Sequence, residues 1–311
     1  MPASFDHDKL GRCGYAALIG PANAGKSTLL NAYLGQKVAI VSSKPQTTRT
    51  QISGIFSEGS NQIVFLDTPG LHRQKGRMGK AMLQSAHQAL AGADVVLALL
   101  DSARLLKKPG SARSDLELLA RSLKGVTTPT LLVLTKIDLI KDKKELLPLM
   151  ELLAAALPQA SIHLVSALRR DGLDQLLSAV LELLPLSPPI FPEDQISTAP
   201  LRFMAAEIIR EKLFERLRQE LPYSVAVDIE KWEEIPRRNL CRINAVIFVS
   251  RKHHKSIIIG KQGQVLKEVG AAARLDIQDL LEQKVHLELW VKVQESWQED
   301  LGFLRSIGLA T

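Results

Sequence analysis

Between residues 15 and 184, short apolar runs alternate with amphipathic stretches long enough for helices. The runs at 15–19, 62–66, 95–100, 130–134 and 162–165 are each bounded by turn or polar residues, which predicts strands there with helices between them. This alternation predicts an α/β fold, a doubly wound, mostly parallel sheet covered by helices on both faces. The proline-rich stretch from Pro185 to Pro192 can neither continue a helix nor enter a central strand, so it predicts a linker. Beyond it the pattern changes. Phe203, Ile208, Leu213, Phe214 and Leu217 fall at helical spacing and predict a helix over 201–219. Strands follow at 224–229 and 242–249, then a Gly-containing loop, a helix over 264–281 and an alternating strand over 286–293. The second part is therefore α+β. The expected organisation is a tail over 1–12, a first domain over 13–185, a linker over 186–199 and a second domain over 200–311.

The length of 311 residues fits two domains, and 46% hydrophobic with 23% charged residues excludes wholesale disorder. Cys13 and Cys241 are far apart and in no metal-like spacing, which excludes a disulfide framework and fits a reducing cytosol. No apolar run approaches the roughly 18 residues that a membrane span needs. The first residues carry neither the basic nor the apolar region of a secretory signal. A cytoplasmic protein is expected. The net charge of +7 permits a polyanionic partner without demanding one.

Candidate chemistry begins at Gly20, Pro21, Ala22, Asn23, Ala24, Gly25, Lys26 and Ser27, which match G-x-x-x-x-G-K-[ST] between a predicted strand and a helix-forming run that opens with Thr28. A loop of this kind curls its backbone N–H groups inward around phosphates, with the helix N-terminus behind it. Lys26 is then expected to reach the β- and γ-phosphates and Ser27 to ligate Mg²⁺. Asp67, Thr68, Pro69 and Gly70 close a second strand, placing a carboxylate at the Mg²⁺ shell and a glycine N–H near the γ-phosphate. Thr135, Lys136, Ile137 and Asp138 close a third. The Asp138 carboxylate can accept from guanine N1–H and N2–H₂, which adenine does not offer. Ser166, Ala167 and Leu168 close the last strand, where a backbone N–H could meet guanine O6. Each motif is weak alone. Their order along successive strand ends of one sheet is strong, because ligands of open α/β sheets bind at those ends.

These motifs, with Gln46-Thr47-Thr48-Arg49 between the first two, resemble those of the Era family, bacterial ribosome-assembly GTPases that carry a phosphate-loop domain followed by a type II KH domain. The resemblance implies that Thr48 completes the Mg²⁺ shell in switch I, and that switch II begins at Gly70 and runs from Leu71 to Lys80. It also implies that Asn23 holds a K⁺ ion, whose charge would substitute for an arginine finger. Asn23, Lys26, Thr48 and Gly70 are the candidate catalytic residues. Leu71 stands where Ras-like GTPases carry a water-orienting glutamine, so slow hydrolysis, faster in K⁺ than in Na⁺, is expected. The family usually has Asn where this chain has Thr135, and one hydroxyl cannot both touch the base and brace the phosphate loop.

Gly260, Lys261, Gln262 and Gly263 follow a short apolar helix and precede a longer one, which resembles the loop by which a KH module holds four nucleotides of single-stranded backbone. Arg251, Lys252 and Lys255 are expected beside that loop. Ile257, Ile258 and Ile259 are expected in the core, His253 and His254 at the surface, and Trp290, of an alternating strand, in packing rather than in base stacking. From Glu234 to Glu268 there are eight basic residues and no acid, so the rest of the chain sums to −1 and the basic segment surrounds the loop. The resemblance implies binding to the single-stranded 3′ region of 16S rRNA and a part in 30S assembly, by a monomer, not on DNA, with peripheral membrane association as a further family trait. The alternative is a tRNA-modification-type GTPase acting on another RNA. That class should carry a catalytic C-terminal Cys, and Cys241 falls inside a predicted strand.

Overall fold

The computed structural model describes residues 10–42, 44, 47–71 and 76–309. They form two compact units, the first within 1–39, 45–74 and 82–198, the second within 40–44, 75–81 and 199–311.

The first unit comprises β1 (Gly11–Ile19), α1 (Lys26–Leu34), β2 (Ile52–Glu58), β3 (Asn61–Asp67), most of α2 (Gly76–Ala91), β4 (Val95–Asp101), α3 (Ser102–Lys107), α4 (Pro109–Ser122), β5 (Thr130–Thr135), α5 (Leu147–Ala156), β6 (Ser161–Leu164), α6 (Leu173–Leu183) and β7 (Leu186–Ser187). The strand order is β2-β3-β1-β4-β5-β6, parallel from β3 to β6, with β2 antiparallel at the edge. Strand β4 reads Val-Val-Leu-Ala-Leu-Leu and is buried at every one of those positions, the continuous apolar run that a strand covered on both faces requires. All five expected strands are present, with ends displaced at most a few residues. The antiparallel β2 was not anticipated. Its signal was Gly59-Ser60 between two strand-like runs, with Gly59 at φ 61°, a hairpin signature.

Two expected boundaries move. The strand begins at Gly11, not after residue 12, because β7 pairs antiparallel with Gly11 and Arg12. The stretch 186–199 is no free linker. Gln62 Oε1 accepts from the Ile190 and Phe191 amides, and its Nε2 donates to the Phe191 carbonyl. The Ile55 amide donates to the Ile196 carbonyl, and Ser197 Oγ to the Ser53 carbonyl. Proline excluded a helix there, but not backbone pairing at a sheet edge.

The second unit comprises α7 (Leu201–Arg216), β8 (Val225–Ile235), β9 (Leu240–Val249), α8 (Lys252–Ile259), α9 (Gln264–Leu281), β10 (Lys284–Val293) and α10 (Leu301–Ser306). Its sheet runs β10-β9-β8, with β9 parallel to β10 and antiparallel to β8. Residues such as Ile209, Leu213, Ile243, Ile247, Ile258, Ala273 and Ile277 pack in one fully buried core. Two short segments of earlier sequence belong here: the Val41 amide donates to Glu211 Oε1 at 2.9 Å, Lys44 Nζ donates to the Phe214 and Leu217 carbonyls, and the Arg77 amide donates to Glu299 Oε2 at 3.1 Å.

Candidate functional site

The nucleotide loop leaves β1 at Gly20 and enters α1 at Lys26, with Asn23 and Gly25 in left-handed backbone conformations (φ 64° and 90°). An asparagine tolerates that conformation better than most residues, which gives Asn23 a backbone role. Lys26 Nζ donates to the Gly20 and Pro21 carbonyls, each at 3.1 Å, across the mouth of the loop. Burial lowers the Lys26 pKa to about 8, opposed by the negative charge of Asp67. Three oxygens from three separate segments converge beside it. Ser27 Oγ donates to Asp67 Oδ2 at 2.6 Å, Thr48 Oγ1 lies 3.1 Å from the same oxygen, and the two hydroxyls are 2.9 Å apart. Burial raises the Asp67 pKa, against the lowering effect of Lys26 and the two hydroxyls. The second oxygen, Asp67 Oδ1, is buried without a hydrogen-bond partner. A carboxylate so placed among hydroxyls is a hard oxygen donor set that suits Mg²⁺.

Thr68 Oγ1 donates to the Leu18 carbonyl at 2.7 Å and ties the end of β3 to β1. Gly70 passes the loop so closely that a Cβ there would lie 2.8 Å from Ala22 Cα, which explains why glycine occupies the position. The next residue, Leu71, donates its amide to the Gly20 carbonyl at 2.9 Å and turns its side chain into the core. Residues 72–75 of the expected switch II, and Gln46 of the expected switch I, lie outside the described residues.

At the base-binding end, Thr135 Oγ1 donates to the Ala24 carbonyl at 2.8 Å and approaches the Leu100 carbonyl at 3.1 Å. Thr135 therefore does brace the phosphate loop, a task the family pattern gives to an amide. Asp138 is exposed and accepts from Ser166 Oγ at 2.6 Å, so it is oriented but accessible. The Ser166 amide donates to the Asp171 carbonyl and so is already engaged. Leu168 is 79% exposed at the same rim. Asp101 was missed. It ends β4, caps α3 through the Arg104 amide and pairs with Lys136 Nζ at 2.7 Å. Its position at a strand's carboxyl end was the available signal.

In the second unit, α8 ends at Gly260 (φ 74°), where a Cβ would meet Val265 Cγ2 at 2.5 Å, and α9 begins after Gly263. Lys261 and Gln262 project from the turn and are exposed, as are Arg251, Lys252 and Lys255. His254 lies 3.3 Å from Ser224 Oγ and against His253, and burial lowers its pKa. Two expectations fail. Ile257 is 52% exposed, because only Ile258 of the three isoleucines faces fully inward. Trp290 is 59% exposed on the open face of the sheet, whereas Trp297 is fully buried with Nε1 on the Ser224 carbonyl. Alternation located Trp290 on one face but did not say which face the helices cover. The basic segment also divides: Arg237, Arg238 and Arg242 sit at or just before the start of β9, and Arg251 to Lys267 lie beyond its other end.

Residues 15–136 match the family model described as a 50S ribosome-binding GTPase, and residues 220–298 match a KH domain. The chain is 56% identical over 299 residues to GTPase Era of Nitratidesulfovibrio vulgaris, covering 96% of this chain and 97% of that one. It is 52% identical over 298 residues to GTPase Era of Desulfovibrio desulfuricans, with the same shares covered. Among solved structures, Era in complex with MgGDPNP and nucleotides 1506–1542 of 16S ribosomal RNA superposes with a TM-score of 0.92 at 40% identity, over 97% of this chain and all of that one. A variant of Aquifex aeolicus Era bound to GDP and AlF₄⁻ gives 0.91 at 40% identity, over 96% of this chain and all of that one.

Proposed function

The chain belongs to the Era family of GTPases, and from that premise we propose a GTP-driven switch that grips the single-stranded 3′ region of 16S rRNA during 30S assembly and releases it on hydrolysis. The observation that carries the nucleotide half is the convergence of Ser27, Thr48 and Asp67, with Asp67 Oδ1 buried and unmatched. These three residues hold Mg²⁺, which when bound neutralises charge on the phosphate oxygens. Lys26 leaves the Gly20 and Pro21 carbonyls for the β- and γ-phosphates. The Gly70 amide faces the γ-phosphate, and the Asp138 carboxylate accepts from the guanine edge. No side chain at position 71 can orient the attacking water, since Leu71 is packed in the core. Hydrolysis of GTP to GDP and phosphate is accordingly slow. The role of Asn23 in binding K⁺ rests on the family resemblance, because its left-handed backbone would by itself explain an asparagine.

The RNA half rests on the exposed turn Gly260–Gln262 with Gly263 and its cationic neighbours. The Era structure solved with nucleotides 1506–1542 of 16S rRNA supports this choice of RNA. No helix among the described residues is long and apolar enough to cross a membrane, and we place the protein in the cytoplasm as a monomer. One experiment addresses both halves: GTP hydrolysis in K⁺ and in Na⁺, with and without a 3′-terminal 16S rRNA oligonucleotide. Faster turnover in K⁺ and further stimulation by the RNA are expected. Equal rates in the two salts would remove K⁺, and the absence of any RNA effect would remove the coupling.

A further inference from the structure

The second unit carries a basic cavity that the KH turn does not explain, lined by residues of β8, β9 and β10 and by Arg274 and Gln278 of α9, the helix that packs against the sheet's covered face. It encloses about 730 Å³ and is lined by Lys231, Arg242, Arg274, Lys284, His286 and Glu288, among others. Four Lys or Arg side chains thus meet one carboxylate. That carboxylate is already engaged, accepting from Asn244 Nδ2 at 3.2 Å and lying 3.1 Å from His286 Nε2. Glu233 pairs with Lys231 at 3.1 Å, and Glu230 with Lys292 at 2.6 Å. Trp290 stands on the same strand face as His286 and Glu288, two residues beyond Glu288 along β10, and is 59% exposed.

This cluster lies at the start of β9 and β10, whereas the turn 260–263 follows the end of β9. Asn244, the cluster residue of β9 nearest the turn, is five residues from the end of that strand, about 17 Å at 3.3 Å per residue, and α8 follows before the turn begins. A KH turn holds four nucleotides, so a strand gripped there continues past it with its phosphates exposed.

We propose that the cavity and Trp290 form a second subsite for single-stranded RNA, phosphates in the cavity and a base on the indole. This rests on the RNA reading above. An aromatic plane beside clustered cations is the arrangement that single-stranded nucleic acid uses, since every base offers a π-face to stack. An acidic protein segment would use the cations but has no need of the exposed indole.

The test uses the full chain loaded with a non-hydrolysable GTP analogue and two labelled 3′-terminal 16S rRNA oligonucleotides. One has about four nucleotides, enough for the KH turn alone. The other has about twenty, long enough at 3.4 Å or more per nucleotide to run well beyond the turn. The variants are Arg242→Glu with Lys284→Glu, Trp290→Ala and Trp290→Phe. The charge variant and Trp290→Ala should each weaken the long RNA by about tenfold and leave the short one unchanged. The charge variant should also flatten the salt dependence of the long RNA, by about 0.7 in log–log slope per lost phosphate contact. Trp290→Phe should restore most of the affinity lost in Trp290→Ala. Unchanged binding of the long RNA overturns the subsite, as does equal weakening of both lengths. Failure of the wild-type chain to bind either RNA overturns the RNA reading itself.

Discussion

The two candidate sites keep their charge in different places. In the first, Lys26 and Asp67 are buried, Lys26 held by carbonyls of its own loop and Asp67 by hydroxyls from two other segments. In the second, Arg251, Lys252, Lys255, Lys261 and Gln262 stand in solvent around a turn whose backbone alone is fixed. Buried charges act at short range in a low dielectric and are scarcely screened, whereas exposed ones are screened within about 8 Å at physiological salt. The first site is built to discriminate one small ligand by geometry. The second, as proposed, would hold a polyanion whose affinity is set by how many phosphates it meets.

The sharpest way to separate the two is to reverse charge at the turn. Replacing Lys261 and Gln262 by Asp should weaken RNA binding by at least about a hundredfold, since two repulsive charges replace one attractive contact at the point of closest approach. Basal GTP hydrolysis should not change. A parallel loss of hydrolysis, measured as phosphate release without RNA, would mean that the two sites are not separable.

A smaller effect tests the burial of Lys26. Its pKa is about 8 in the folded chain and about 10.4 when unfolded. Below pH 8 both states carry the proton, and folding bears the full cost of burying the charge. Between about pH 8 and 10.4 the unfolded chain binds more protons, so stability without nucleotide should rise with pH, by at most about 3 kcal/mol across that window. The raised pKa of Tyr33 acts in the opposite sense only above about pH 10. Urea unfolding from about pH 7.5 to 9.5 should show the rise, and Lys26→Met should flatten it. An identical slope in the variant would place the effect elsewhere.

The smallest concerns Thr135. Thr135→Ala removes the donor to the Ala24 carbonyl and should lower GDP affinity through a looser phosphate loop, by about 1 kcal/mol. Thr135→Asn should restore or improve affinity while guanine stays preferred over adenine in competition titrations. A change of base preference would contradict the role of Asp138.

The same contrast governs what the sequence made legible. A nucleotide site of the proposed kind needs particular residues at particular strand ends, so Lys26, Ser27, Asp67 and, for the base, Asp138 could be named as candidates from motif and pattern, and the parallel strands could be read from their apolar runs. The bracing role of Thr135 could not be read, because it depends on Ala24 lying within 2.8 Å of its hydroxyl, a tertiary fact. Nor could the fate of 186–199, since proline content reports what a segment cannot do and not which edge it will dock on. In the second unit alternation placed Trp290 on one face, but the choice between core and solvent lay with α7, α8 and α9. The cluster of eight basic residues was contiguous in sequence and is divided in space by the length of β9.

The proposed switch requires that the nucleotide bound beside Lys26, with Mg²⁺ on Ser27, Thr48 and Asp67, decide the grip on RNA. Its most direct test is the affinity of the wild-type chain for the twenty-nucleotide 3′-terminal 16S rRNA, measured by anisotropy at one fixed salt concentration with GDP and with a non-hydrolysable GTP analogue. Binding should be at least about tenfold tighter with the analogue, a coupling of about 1.4 kcal/mol. Equal affinity in the two states would contradict it.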